Sequence, residues 1–326
     1  MMKKIIIYGI GKEFDYYYDL YKKLNASFKI VGCYDKNIEQ LNKKAKENKL
    51  DILTYEEMLE CKDCDGIYVA TLQYYQEIKM ELIKKGENKR IALFSELLFE
   101  TIMKNCTDVK DAIDIGGPSG VFLPLYNLIK KIDIANYSDN NLWAKTDFEK
   151  IYGPYVEIKK YFNNDATNLK DISDASYDLV CSSNTLEHIA NPLKALLERK
   201  RVLKSGGILL IFVPNKNFTY DRNRDYTAFD HLLADYNNDI GESDLYHLKE
   251  VVEKTDIEDF NFFSVKKVKN REEHKNMLEE NEKIRMMHHH VFNFESLILT
   301  AKWLNMSVLS AELDNYCHNL CFVLKK

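Results

Sequence analysis

The chain has 326 residues, of which 45% are hydrophobic and 30% are charged, and its formal net charge is −5. This length suggests two domains or one large one, and the negative charge argues against a nucleic-acid partner held by a broad positive field. No apolar run approaches the roughly 20 residues that cross a bilayer. The short run after Lys3 and Lys4 lacks the length and the cleavage site of a signal peptide.

The cysteines indicate a reducing compartment. There are seven, an odd number without a secretory signal, which predicts a cytoplasmic protein. Cys61 and Cys64 form one CxxC, but no second pair follows at zinc-ribbon spacing. We therefore favour ordinary loop thiols over a metal or redox site.

The first third of the chain alternates short apolar runs with helical stretches. The runs predict strands over residues 3–9, 28–37, 66–72 and 90–96, with helices to about residue 23 and over 73–86. Strands that alternate with helices at this spacing predict parallel βαβ units. We expect a small Rossmann-like α/β domain over residues 1–104.

A second α/β pattern predicts another Rossmann-like domain over residues 105–326. Its predicted strands are 111–116, 131–137, 161–169 with its exit loop, 177–183, 207–215, 306–313 and 318–325, and its predicted helices are 119–131, 185–203 and 294–303. The last two strands are too close for a crossover helix, so they predict a terminal antiparallel hairpin. Residues 216–290 interrupt the pattern with a polar, Tyr- and His-rich insertion.

Glycines cluster where the second domain begins. The chain has only 12 glycines, yet Gly116, Gly117 and Gly120 lie in the single stretch DAIDIGGPSGVF. Glycine is costly to order, and at a strand-to-helix turn it lets the backbone approach a ligand. The spacing is not that of a dinucleotide fingerprint, and Asp114 before the turn suits a cationic ligand. A tight turn without a ligand is the alternative.

This segment resembles motif I of class I S-adenosylmethionine (SAM) methyltransferases. The stretch YDLVCSSNTLEHIANPLKALLERKRVLKSGGILLIFVPN is similar to the fourth-strand, helix and fifth-strand region of that superfamily, and NNDATNL resembles its adenine-reading loop. The terminal hairpin is also typical of its seven-stranded sheet. The resemblance covers about residues 106–326, and GGPSG, ANPLKAL and HHHVF suggest a bacterial subgroup of type 11-like enzymes.

The resemblance implies a set of cofactor-binding residues. The amino-acid moiety of SAM would be lined by Asp114, Gly116, Gly117, Ser119 and Gly120; the adenine would be read by Asp165 and the backbone of Ala166; and the methionine end would face Ser183. The superfamily usually holds the ribose with an acid at the end of the second strand, where this chain has Asn136. Either Asn136 makes fewer ribose contacts or Asp139 reaches in.

An alcohol acceptor must lose its proton, which requires a general base or a metal ion. On a predicted helix, Asn184, Glu187 and His188 share one face. Some O-methyltransferases hold a divalent ion at this location with Glu-x-x-Glu-His and a further histidine, so the resemblance suggests Mg²⁺ on Glu187 and His188. In other methyltransferases the Leu-Glu-His residues only pack and hydrogen-bond, which is the alternative.

The insertion 216–290 is the expected substrate lid. It holds six of the eight histidines, namely His231, His247, His274, His288, His289 and His290. His231 and Asp235 have the i, i+4 spacing of a base and its orienting carboxylate, and Arg222 and Arg224 could clamp a phosphate or carboxylate. A solvated polar helix and a simple junction at the His triplet are the alternatives. Polar insertions at this edge of open α/β sheets commonly build acceptor pockets.

The first domain begins with the turn YGIGKEF. Gly9 and Gly11 give G-x-G, but Phe14 stands where a third glycine would allow close packing, and Asp35 ends the second strand. A nucleotide or nucleotide-sugar site is one hypothesis, and a docking or dimerisation module, which would give a homo-oligomer, is favoured over it.

The sequence thus predicts a SAM-dependent methyltransferase. The expected acceptor is a hydroxyl of a sugar, a nucleotide sugar or a phosphorylated metabolite, as in bacterial surface-glycan biosynthesis, with His231 or His188 as the base. The alternatives are N- or C-methylation of a small metabolite, a non-catalytic binding protein, and a nicotinamide enzyme that uses the first domain.

Overall fold

The computed structural model describes residues 2–12, 14–15, 18, 28–71, 74–87, 89–94, 109–138, 153–264, 266–313 and 319–326. The chain divides into two compact units, Met1–Asn105 and Cys106–Lys326. In the described part of the chain, no helix is both long and apolar enough to span a membrane.

The first unit is built on a parallel four-stranded sheet. Its strands are β1 (Lys3–Tyr8), β2 (Phe28–Tyr34), β3 (Gly66–Val69) and β4 (Arg90–Leu93), and its described helices are α1 (Ile38–Asn48), α2 (Tyr55–Glu60) and α3 (Tyr75–Lys84). The strand order is β2-β1-β3-β4, and every pair is parallel. Thr54 and Glu57 form a reciprocal capping box that begins α2.

Apolar side chains of β1 form the core of this unit. Ile5 and Ile7 are fully buried, and the fully buried Phe14 stacks on Phe94 at 5.7 Å between ring centroids. The position where a dinucleotide fingerprint needs a third glycine therefore holds a core aromatic ring.

The second unit is built on a mixed seven-stranded sheet. Its strands are β5 (Ala112–Ile115), β6 (Lys131–Asn136), β7 (Glu157–Asn163), β8 (Tyr177–Ser183), β9 (Leu203–Pro214), β10 (Ser307–Leu313) and β11 (Asn319–Lys325). The order is β10-β11-β9-β8-β5-β6-β7. The predicted terminal hairpin is confirmed, because β10 pairs antiparallel with β11 and β11 pairs antiparallel with β9. Every residue of β5 is buried, as expected for an interior strand covered on both faces.

The described helices of this unit flank the sheet and fill the insertion. They are α4 (Leu123–Ile129), α5 (Pro192–Val202), α6 (Phe229–Asn237), α7 (Leu248–Lys254), α8 (Ile257–Phe263), α9 (Arg271–Leu278), α10 (Asn281–Ile284) and α11 (Phe294–Trp303). Short 3₁₀ turns precede α4 at Gly120–Phe122, precede α5 at Leu186–His188, and follow β9 at Lys216–Phe218.

The predicted continuous helix over residues 185–203 is wrong. Asn184 has φ +46°, Leu186–His188 is a single 3₁₀ turn, and α5 begins only at Pro192. Proline has no N–H to donate inside a helix, and the Asn191 side chain caps α5 by accepting from the Lys194 N–H. Asn184, Glu187 and His188 therefore do not share one helical face. The third strand also begins earlier than predicted, at Glu157.

The insertion 216–290 folds around an apolar cluster of its own. The buried members are Tyr220, Val251, Phe260, Val268, Met277, Leu278, Met286 and Met287. Sequence reasoning described this region as polar because its apolar residues are widely spaced between charged ones. The insertion is thus a helical subdomain of the second unit with its own small core. Its charged side chains lie outside this cluster.

Candidate functional site

In the glycine turn after β5, neighbouring side chains of the protein leave no room for a Cβ at two of the three glycines. Gly116 has φ +89°, and a Cβ there would lie 2.1 Å from Thr185 Oγ1. A Cβ on Gly117 would lie 2.0 Å from Asp114 Oδ2. Gly120 differs, because no heavy atom of the described residues lies within 4 Å of the place its Cβ would take. Two of the three glycines are explained by internal packing, and only Gly120 borders open space.

Asp114 is a fully buried carboxyl below this turn. The Tyr126 hydroxyl donates to Asp114 Oδ2 and accepts from the Ser119 N–H at 2.8 Å. Burial raises the pKa of Asp114 to about 7, and the hydrogen bond from Tyr126 limits that rise. The carboxyl titrates near neutral pH, so a cation beside it would favour its charged form.

Two buried polar atoms lie unpaired where β5 and β8 end. Asp114 Oδ1 and Ser183 Oγ have no hydrogen-bond partner among the described residues. The strands are parallel neighbours, with Asp114 opposite Cys181, so both atoms belong to the carboxyl edge of the sheet. Buried polar groups are nearly always paired, and these two fit a ligand with polar groups of its own.

The described structure gives Asn136 a role in shaping the turn. Its amide nitrogen donates to the Gly117 carbonyl at 2.6 Å and to the Tyr161 hydroxyl at 2.8 Å. Asn136 therefore ties the glycine turn to β7. Asp139, the alternative ribose ligand, lies outside the described residues.

Asp165 is engaged on both oxygens. Oδ1 accepts from the backbone and hydroxyl of Thr167 at 2.8 and 2.7 Å, and Oδ2 accepts from Arg285 at 3.0 Å. Arg285 comes from the insertion and also lies over the Tyr137 ring, 4.0 Å from its centroid. Although burial alone would raise it, these partners hold the pKa of Asp165 below its usual value. Ala166, next in the chain, packs against the main core.

Glu187, His188 and His288 form a compact polar cluster beside the end of β8. One ligand-type atom from each lies within 4.8 Å of the others. Glu187 is buried with both carboxylate oxygens unpaired among the described residues, and burial raises its pKa to about 7. Burial, with His288 nearby, lowers the pKa of His188 well below the usual value, so that imidazole is neutral.

The structure brings Asp221 and Tyr220 to the same cluster, which sequence reasoning missed. Asp221 accepts from His288 Nδ1, and His288 Nε2 lies 2.6 Å from the Tyr220 hydroxyl. A carboxylate only accepts, so His288 Nδ1 carries the proton of that hydrogen bond. Although burial alone would raise it, His288 and Arg224 hold the pKa of Asp221 at about 2. No local sequence signal links Asp221 to a histidine 67 positions later.

The described residues do not support the expectation that Arg222 and Arg224 clamp a phosphate or carboxylate. Arg224 is 1% exposed and donates to Asp221 and to the backbone carbonyls of His288 and His289. Arg222 forms an ion pair with Asp259. Both guanidinium groups hold the insertion together, so they no longer point to a phosphorylated acceptor.

The three consecutive histidines are not a simple junction. His288 belongs to the cluster above, while His289 Nε2 lies 3.0 Å from the Asn281 amide and 3.5 Å from Glu242. His290 faces Asp235 at 3.7 Å. All three are buried.

A second histidine cluster surrounds Asp235. His231 and Asp235 are one turn apart on α6, as predicted, with Nε2 and Oδ2 3.4 Å apart. His231 Nε2 also lies 3.0 Å from His247 Nε2. This contact was not predicted from the sequence. Burial lowers the pKa of His247 to about 3 and that of His290 well below its usual range.

The Glu187 cluster does not fit a magnesium ion. Mg²⁺ prefers an octahedron of oxygen ligands, whereas this cluster offers one carboxylate and two imidazoles. Both nitrogens of His288 are already engaged by Asp221 and Tyr220. Asn184 precedes the turn in a left-handed conformation rather than joining a helical ligand face. The metal prediction on Glu187 and His188 is therefore not supported for Mg²⁺.

The first unit closes its own glycine turn. Asp35 Oδ2 accepts from the Ile10 N–H at 2.9 Å and Oδ1 from the Asn37 N–H at 2.8 Å. Cys61 and Cys64 are free thiols, and Cys64 donates to the Cys61 carbonyl. Burial raises the pKa of Cys64 to about 12, so it is not an activated thiol.

Each of the two units contains a segment that matches a known protein family. Residues 113–211 match the family described as a methyltransferase domain, and residues 1–92 match the family described as C2185-like, N-terminal. A curated relative, thiol S-methyltransferase TMT1B of Rattus norvegicus, is 25% identical over 135 residues, which is 40% of this chain and 51% of the relative. The chain thus spans about half the length of that relative.

Solved structures that this chain matches include two SAM-dependent methyltransferases. The enzyme from Aquifex aeolicus is 16% identical, with 69% of this chain and 87% of that chain covered and a TM-score of 0.36. The enzyme from Mesorhizobium loti is 10% identical, with 70% and 96% covered and a TM-score of 0.41. The matched family and the seven-stranded sheet with its terminal hairpin both support a class I SAM-dependent methyltransferase fold for the second unit.

Proposed function

We propose that this domain transfers a methyl group from SAM to a small-molecule acceptor, with the amino-acid end of the cofactor against Asp114, Gly120 and Ser183. The observation that carries the proposal is the pair of unpaired buried atoms, Asp114 Oδ1 and Ser183 Oγ, at the edge where Gly120 borders open space. A carboxylate, a hydroxyl and a bare backbone suit the ammonium and carboxylate groups of an amino acid.

The rest of the cofactor would lie along the same edge. The turn of Gly116, Gly117 and Ser119 would supply backbone, and Asn136 would face the ribose while it holds the Gly117 carbonyl. Asp165 and the backbone of Ala166 would read the adenine. Asp165 is paired with Arg285, so that ion pair must open when the adenine is bound.

SAM supplies a methyl group on a sulfonium that is already a good leaving group. The chain must therefore align the acceptor, exclude water and take the acceptor's proton. We assign the role of general base, which accepts the acceptor's proton, to His188. Its imidazole is neutral at neutral pH and lies beside Glu187, with Nε2 4.0 Å from Oε1. The Glu187 carboxylate would stabilise the imidazolium that forms. His231, the other predicted base, lies in the second cluster.

The proposed acceptor is a hydroxyl of a sugar or a nucleotide sugar. A base next to the end of β8 supports a hydroxyl, because a neutral alcohol is a poor nucleophile until it loses its proton. The arginines do not support a phosphate on the acceptor, since both are engaged within the insertion. The first unit is proposed as a docking module, because its Asp35 is used by the turn itself.

A thiol is the second candidate acceptor. The rat relative is named a thiol S-methyltransferase, and a thiol with a pKa of about 8.5 is partly ionised without a strong base. Thiol transfer would therefore depend little on His188, whereas hydroxyl transfer would depend on it strongly.

The test is a turnover screen with labelled SAM against sugars, nucleotide sugars and small thiols. We expect His188→Gln to reduce hydroxyl transfer by about 100-fold or more, the usual contribution of a general base, with SAM binding unchanged. Thiol turnover that is equal in the wild-type and His188→Gln proteins, without hydroxyl turnover, would replace the hydroxyl proposal. No turnover together with no SAM binding would reject the methyltransferase proposal itself.

A further inference from the structure

The second histidine cluster brings four metal-ligand side chains together from three separate segments. His231 and Asp235 come from α6, His247 immediately precedes α7, and His290 follows α10. One ligand atom from each of the four lies within 4.8 Å of the others. None of the four belongs to the proposed SAM site or to the Glu187 cluster.

The separations between these side chains are close to those of ligands around a small ion. A tetrahedral zinc site with bonds of 2.0–2.1 Å places its ligand atoms about 3.3 Å apart. Here His231 Nε2 lies 3.0 Å from His247 Nε2 and 3.4 Å from Asp235 Oδ2. His290 Nε2 lies 3.7 Å from the same carboxylate oxygen. Two imidazoles thus lie beside one carboxylate oxygen, and the third lies beside His231 Nε2.

Two buried polar atoms of the cluster lack a hydrogen-bond partner among the described residues. Asp235 Oδ2 and His290 Nδ1 are buried and have no hydrogen-bond partner in the described part of the chain. His290 Nε2 lies 3.2 Å from the Ala190 carbonyl. Metal-binding histidines commonly donate one nitrogen to a carbonyl in this way and bind the ion through the other, which for His290 is Nδ1. His247 Nδ1 likewise faces Glu250 at 3.8 Å.

The donor chemistry selects the class of ion. Three imidazole nitrogens and one carboxylate oxygen suit a borderline divalent transition ion and are unlike the all-oxygen sites of Mg²⁺ and Ca²⁺. Four protein ligands complete the coordination sphere of a tetrahedral ion. This is the arrangement of structural zinc sites, whereas catalytic zinc sites keep one position open.

We propose that His231, Asp235, His247 and His290 bind one zinc ion, which joins α6, the start of α7 and the segment after α10 of the insertion. This site goes beyond methyl transfer and does not depend on it. The ion would pair with the buried Asp235 carboxylate and hold together segments that are far apart in the chain.

The test uses the full-length protein, stripped with a chelator and titrated with Zn²⁺ in the presence of a competing chelator. We expect one tightly bound ion per chain, and we expect Co²⁺ in its place to give the visible absorption bands of tetrahedral coordination. His247→Gln and Asp235→Asn should each weaken Zn²⁺ binding by about 100-fold or more, since loss even of an outer-shell partner costs 10–100-fold. Zinc should also raise the unfolding temperature of the wild-type protein.

The matched control is His274→Gln. His274 is a fully buried histidine of the same insertion, on α9, and lies outside both clusters, so its loss should leave zinc stoichiometry at one. Absence of tight zinc binding in the wild-type protein would overturn the proposal. So would binding that survives both His247→Gln and Asp235→Asn, or that is lost in Glu187→Gln, because the ion would then lie elsewhere. SAM titration of the same samples reports separately on the proposed function.

Discussion

Each unit begins with a strand that runs into a glycine turn, yet the two turns use their acidic residues in opposite ways. In the first unit, both oxygens of Asp35 accept backbone N–H groups of the turn and of the following residues. In the second, Asp114 keeps one buried oxygen that has no hydrogen-bond partner among the described residues. Glycine spacing alone does not separate a closed turn from a ligand site, whereas the state of the buried polar atoms does.

The largest expected effect comes from Gly116→Ala. The added Cβ would collide with Thr185, and Gly116 has φ +89°. Left-handed strain of 1–2 kcal/mol and overpacking of 1–3 kcal/mol together predict a loss of about 3 kcal/mol in the free energy of unfolding. Denaturant unfolding with and without SAM measures it. A Gly116→Ala protein as stable as wild type would show that Thr185 does not confine this turn.

Asp114→Asn should weaken SAM binding by about tenfold, the usual effect of losing one charged partner of 1–2 kcal/mol. The wild-type protein should also bind SAM less tightly as the pH falls from 8 to 6. Burial raises the pKa of Asp114 to about 7, so the carboxyl loses its negative charge over that range. Tyr126, Cys181 and Arg199 are the other ionisable groups facing Asp114. Calorimetric titration across this range measures both effects. An Asp114→Asn protein with the same pH dependence as wild type would assign it to another group.

Gly9→Ala tests the closed turn of the first unit. Gly9 has φ +88° but room for a Cβ, with Thr71 Cγ2 3.9 Å away. We expect only the conformational cost of about 1 kcal/mol, seen as faster hydrogen exchange in β1 and β2, and no change in SAM affinity. A change in SAM affinity would contradict the assignment of the cofactor to the second unit alone.

Arg285→Gln should have the smallest effect, and in the opposite direction. The variant frees Asp165 from a partly exposed ion pair, and such pairs contribute 1 kcal/mol or less. SAM should bind about threefold more tightly in a direct titration. The matched control is Arg271→Gln, an arginine of the same insertion that contacts backbone carbonyls of Val252 and Glu253. Weaker SAM binding in Arg285→Gln alone would instead make Arg285 part of the cofactor site.

The parts of the fold predicted from sequence are those set by local pattern. The βαβ order and the terminal hairpin followed from strand spacing and are confirmed. The helix over 185–203 was wrong because the hydrophobic pattern did not weigh the Asn191 cap and Pro192. The i, i+4 contact of His231 with Asp235 was visible in the spacing.

Contacts between distant segments were not accessible in the same way. The approach of His247 and His290 to Asp235 depends on how the insertion folds over its own apolar cluster. The hydrogen bond between Asp221 and His288 depends on the same folding. So do the buried partners of Arg224, whose charge alone had suggested a ligand-binding residue. A single sequence carries no periodic signal for such long-range pairs.

The central claim is that the glycine turn of the second unit opens onto a SAM site. Calorimetric titration of SAM into the wild-type protein and into Gly120→Val tests it most directly, because in the described part of the chain no heavy atom lies within 4 Å of the position where the new side chain begins. We predict one SAM per chain in the wild-type protein and binding at least about tenfold weaker in Gly120→Val, with the same unfolding midpoint in both proteins without ligand. Absence of SAM binding in the wild-type protein, or equal binding in the two, would contradict the account.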